Sequence, residues 1–141
     1  MNKILKYVAS VFPSKRKRVL SQQDQNDYNH KIDRANAILS LNRALLDAVF
    51  PQLRAAKIQW DNKKVHLFFY YDGEISEDDH ESLECVATEV ISDFPSLALE
   101  IDITRCDYPT RIPQSDASNI AFVYSRKEKK PPWAESIPNP F

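Results

Sequence analysis

A single glycine, Gly73, stands in this chain against nine prolines. That ratio confines left-handed backbone to one natural position, because the Cβ of any other residue is crowded there. It also removes every glycine-rich phosphate loop, and with it the usual nucleotide-binding folds. The prolines act as punctuation, ending elements by removing a donor and crowding the preceding turn. With 141 residues, 43% of them hydrophobic and 11% aromatic, the chain is long and apolar enough to bury one core.

Between the prolines the apolar spacing changes period several times. Residues 3 to 12 put Ile4, Leu5, Val8, Val11 and Phe12 on one helical face before Pro13 and "SKRKR". This reads as an amphipathic helix on a membrane surface or partner, or as an appendage docked on its own domain. From Gln22 to Phe50 a stripe of Tyr28, Ile32, Ala35, Leu39, Leu46 and Val49 predicts a long helix stopped by Pro51. Asn42 interrupts it, Ile38, Leu41 and Leu45 run alongside, and a bend or new start near Ser40 is one reading. "RAAKIQW", the polar turn "DNKK" and "VHLFFYY" predict an antiparallel hairpin. In its second strand Val65, Leu67, Phe69 and Tyr71 share one face, and His66, Phe68 and Tyr70 share the other. Two apolar faces predict a central strand or one with a partner-covered side.

Gly73 is expected at positive φ, as the hinge between this strand and a helix over "SEDDHESLECVATEVISDF". Ser76 is its natural N-cap, with Asp79 three residues on, and Leu83, Val86, Ala87, Val90 and Phe94 form its core stripe. "LALEIDITR" alternates Leu97, Leu99, Ile101 and Ile103 against Glu100, Asp102 and Thr104. After the proline-punctuated "DYPTRIPQSDAS", the last strand "NIAFVYSRK" is expected to put Ile120, Phe122 and Tyr124 on one face. The fold class is therefore α+β: a four-stranded antiparallel sheet with helices packed on one face, in the order α-α-β-β-α-β-β. Residues 1–21 form a basic arm, 22–127 the single domain, and 128–141 a proline-rich tail, extended or mobile.

The net charge of −1 conceals a polarised chain. Residues 1–21 carry Lys3, Lys6, Lys15, Arg16, Lys17 and Arg18 and no acid, whereas 72–102 contain no lysine or arginine. Glu77, Asp78 and Asp79 have a structural use in the first turn of the helix, where the macrodipole favours negative charge. That does not account for thirty residues without a cation. An extended negative surface is costly in self-repulsion, and meeting a basic partner quickly is one use for it.

Catalytic chemistry finds no foothold. His30, His66 and His80 lie in separate elements, and His80, Glu84 and Asp78 in a helical first turn are better read as solvated than as metal ligands. No serine sits in a nucleophile elbow, and no carboxylate pair stands out as acid and base. The chain reads as a non-enzyme without cofactor or metal. Acids beside the aromatic strand would repel phosphate, so no direct contact with nucleic acid is expected. No run of about 18 apolar residues could cross a bilayer, and the N-terminus lacks the uninterrupted apolar stretch of a signal peptide. Cys85 and Cys106 are expected to be buried free thiols in a cytoplasmic protein.

The segments "LLDAVFPQLRAAKIQWDNKKVHLFFYYDGEISEDD", "ATEVISDFP", "RCDYPTRIP" and "FVYSRKE" resemble a family of small bacterial proteins met among the immunity proteins of polymorphic and contact-dependent growth inhibition toxin systems. The resemblance spans roughly residues 37 to 128. It implies a cytoplasmic bacterial protein that binds and neutralises a cognate toxin domain, such as a basic nuclease, through an acidic surface. On that reading Asp72, Glu74, Glu77, Asp78, Asp79 and Glu81 form a charged rim, with Phe68 or Tyr70 as buried anchors. The alternative is a peripheral membrane or nucleic-acid-associated adaptor, with weak membrane association through residues 1–18.

Overall fold

The computed structural model describes residues 32–131, together with Ser21. The basic arm, the start of the expected long helix with Tyr28, and residues 132–141 lie outside the described residues. Among the described residues six elements follow one another: α1 (Arg34–Ala44), β1 (Leu53–Trp60), β2 (Lys64–Tyr71), α2 (Glu77–Asp93), β3 (Ala98–Arg105) and β4 (Ile120–Ser125).

The hairpin expected from sequence is present. Ala56 lies opposite Phe69, Ile58 opposite Leu67 and Trp60 opposite Val65, so every apolar side chain of the core face meets another across the pair. The Asp61 carboxylate closes the turn by accepting from the N–H groups of Lys63 and Lys64 at 2.7 and 2.9 Å. Gly73 follows β2 at φ +73, as anticipated. Ser76 caps α2, its hydroxyl accepting from the Asp79 N–H at 3.1 Å, and Leu83, Val86, Ala87 and Val90 are buried against the sheet.

The sheet itself differs from expectation. It is mixed, in the order β3-β2-β1-β4, because β3 runs parallel to β2. The reason is the helix between them. The seventeen residues of α2 cross back over the sheet and return the chain to the end where β2 began, so β3 enters in the same direction. β1 and β2 are thus the central strands, which accounts for the two apolar faces of β2.

The first helix is a second correction. α1 begins at Arg34 behind the Asp33 cap, which accepts from Asn36 N–H at 2.8 Å, continues without a break through Ser40 and ends at Ala44. Left-handed backbone at Asp47 (φ +63) turns the chain well before Pro51. Of the stripe read from sequence Ile32 is buried in the core, but Ala35 onwards faces water: Leu39, Leu46 and Val49 are 65%, 68% and 44% exposed. The neighbouring set, Ala37, Leu41 and Ala44 with Leu45, is the buried one. The third correction is in β4. A register shift opposite Ala56/Lys57 pairs Tyr124 with Ala56 but Phe122 with Lys57. This bulge breaks the alternation, so Tyr124 joins the core while Phe122 turns to the opposite face.

Both helices cover one face of the sheet, where the main core lies. The opposite face carries a small cluster of Ala55, Tyr70 and Ile112 with Phe68 and Cys106, crossed by the loop that follows β3. Both cysteines are free, but Cys85 is exposed and Cys106 half-buried. Position 85 falls just beside the core stripe of α2.

Candidate binding surfaces

The exposed side of α2 is built by the periodicity that buries its other side. With Leu83, Val86 and Val90 turned inward, Glu77, Asp78, Glu81, Glu84 and Glu89 are left facing water and Asp79 is half-buried. None of these six has a lysine or arginine partner among the described residues; Glu84 has only His80, at 3.7 Å. Asp78, Glu81 and Glu89 also line a groove of about 360 Å³ between α2 and the turn after α1, where Asp47 and the exposed Leu46 complete it. Among the described residues no basic side chain lines this groove. Asp47 and Leu46 were not identifiable from the sequence, since only the approach of α1 to α2 brings them there. That approach is fixed by Asp93, which accepts from Ser40 Oγ at 2.6 Å and pairs with Arg43.

Asp72 and Glu74 have a different situation from the helix acids. Asp72 pairs with Arg126 at 3.0 Å and accepts from the Tyr108 N–H at 3.3 Å, while Glu74 pairs with Arg105 at 2.8 Å. They belong to an ionic cluster that ties four segments at one end of the sheet. At its centre Arg54, only 3% exposed, donates to both oxygens of Glu128 at 2.8 and 2.9 Å and to the carbonyls of Cys106 and Thr110. The Arg54 hydrogen bonds, and Arg126 after them, hold the Glu128 carboxyl below its ordinary range. Asp107 is likewise lowered, by Arg105 first and then by the Gly73 N–H at 2.7 Å.

Phe68 and Tyr70 lie on the sheet face opposite the helices. Tyr70 is buried under Ile112, and that burial raises its pKa. Phe68 is half-buried and stacked on His66 with centroids 4.0 Å apart. The structure therefore does not bring the two aromatics together with the acids of α2; the sheet separates them. It sets a cation beside them, while Asp102 of β3 lies opposite Phe68 in the register. Lys57 Nζ sits 5.0, 5.1 and 5.4 Å from the ring centroids of Phe68, Tyr70 and Phe122, and Phe122 gave no sign of this in the alternation of β4.

These surfaces fit a protein that presents charge to a macromolecule. A profile of the MafI2 immunity protein family matches residues 34–128. The chain belongs to the MafI2 immunity protein family. The matched span starts at the first residue of α1 and ends on Glu128, the carboxylate that holds Arg54, so it takes in all six described elements. No curated protein matches the chain. Membership of an immunity family makes a toxin the partner in general terms. No helix among the described residues is long and apolar enough to cross a membrane.

Proposed function

We propose that this protein neutralises its toxin by stoichiometric binding, without catalysis, and that the acidic side of α2 is the docking face. The observation that carries the reading is the set Glu77, Asp78, Asp79, Glu81, Glu84 and Glu89, which no lysine or arginine of the described residues neutralises. The acids at Asp72 and Glu74 are excluded from this face because arginines already hold them. Unpaired charge on a rigid helix is free to pair with a partner and cheap to keep hydrated until it does. A partner with a basic surface, such as a nuclease whose own substrate is polyanionic, has the complementary charge. Leu46 beside the groove supplies apolar area that charge alone does not.

The test is co-purification and titration with the toxin domain encoded beside this chain. Joint reversal of Glu77, Asp78 and Asp79 to lysine is expected to weaken the complex on the order of 100-fold, if each charge contributes about 1 kcal/mol. Cells carrying the toxin should then lose protection. An unchanged affinity, with the α2 circular dichroism intact, would remove α2 from the interface.

A further inference from the structure

Arg54 and Arg126, the arginines drawn into the sheet's end, are each held by carboxylates. Lys57 is not. It is 4% exposed, and among the described residues its polar contact is one hydrogen bond, Nζ to the Pro113 carbonyl at 3.0 Å. An ammonium has three donors, and ring faces attract it without neutralising it. Burial pushes its pKa down, which is the mark of a charge short of a counter-ion.

Beside Lys57 lies a cavity of about 210 Å³, lined by Arg34, Lys57, Ser115, Ile120, Ala121 and Phe122. Arg34 contacts only the carbonyls of Ser118 and Ile120, at 3.4 and 3.3 Å, and has no carboxylate partner among the described residues. Both charges in the lining are positive. The remaining wall is largely apolar, with Phe122 39% exposed. This combination suits a single carboxylate on a short apolar stem. A phosphate group, with more charge and no stem, would leave the Ile120–Phe122 wall uncovered.

We propose that this cavity is a socket for one carboxylate side chain, an aspartate or glutamate presented by the toxin; the partner's identity rests on the immunity reading above. The socket reverses the sign of the α2 face, and a contact of opposite sign penalises any partner docked in the wrong register.

The full-length protein is titrated with N-acetyl-glutamate amide and, separately, with N-acetyl-glutamine amide, following the amide resonances of Ser115, Ile120 and Phe122. The glutamate probe should shift them saturably and the glutamine probe should not. Arg34→Gln, at an exposed position where folding is not at stake, should abolish the response. Equal shifts from both probes, or a response that survives Arg34→Gln, would overturn the socket. Toxin affinity should fall about tenfold in Arg34→Gln, the loss of one charge-assisted contact. A normal peptide response with unchanged toxin affinity would overturn the assignment to a toxin side chain in favour of a free acid. Absence of any toxin binding by the wild type would instead strike the immunity reading, and the peptide titration would still decide the site. Reversal of the α2 acids should leave the peptide response intact.

Discussion

Gly73 shows how one backbone angle can be separated from everything around it. Its φ of +73 is costly for a side chain, yet a Cβ placed there meets nothing within 4 Å. Gly73→Ala should therefore cost only the left-handed penalty of about 1 kcal/mol, and Gly73→Asn less, because asparagine tolerates that region. Thermal denaturation of the two variants checks the order; equal melting temperatures would contradict it. Glu128 makes the opposite case, a residue whose value is all in its partners. Its folded pKa lies below the ordinary 4.5, so the unfolded chain binds the proton more readily. The stability it contributes is complete above the unfolded value and is lost as pH falls through the folded one. Glu128→Gln should destabilise the protein by about 3 kcal/mol at neutral pH, leaving Arg54 buried without its charge partner. It should also flatten the decline in stability below pH 4.5 relative to wild type, measured by urea unfolding at several pH values.

At the scale of elements, Ser76→Ala should cost about 1 kcal/mol by removing the α2 cap, and Asp33→Ala a similar amount at α1. Urea midpoints with unchanged slopes would verify both. The Ser76 cap, the β1–β2 hairpin, the Gly73 turn and the buried stripe of α2 were legible in the sequence, because each depends on chemistry within a few residues; the Asp33 cap was not, since the apolar spacing carried the helix back to Gln22. The face of α1 was not. Two apolar stripes overlap between Ile32 and Val49, and periodicity alone cannot say which one meets the sheet. The direction of β3 was hidden for a related reason: alternation reports which side chains point inward, and is the same for parallel and antiparallel neighbours. The bulge in β4 and the burial of Lys57 depend on contacts across more than fifty residues. The acidic run itself was plain to read, but its division between Asp72 and Glu74, engaged by arginine, and the acids of α2, without a lysine or arginine partner among the described residues, required the fold.

For the whole molecule, charge and order are both segregated. The acidic side of α2 and the Lys57 cavity, at the sheet edge beside β4 and the start of α1, carry opposite charge, so association with a basic partner should be steered strongly by the acids and lose roughly tenfold in on-rate as salt rises to physiological strength. Stopped-flow binding across a salt series measures this; a flat profile would speak against steering. β1 lies at the centre of the sheet, yet its two neighbours reach it at very different times during synthesis. β2 follows within a short turn, whereas β4 is made only after α2, β3 and the long loop have emerged. Until then Arg54 lacks Glu128 and Lys57 lacks the Phe122 ring, and before the loop is made Lys57 lacks the Pro113 carbonyl as well. A ribosome product cut short before Pro113 would carry two stranded cations in its central strand and offer itself to proteases. The cell would thus discard incomplete copies, and the defence would rest on finished molecules alone.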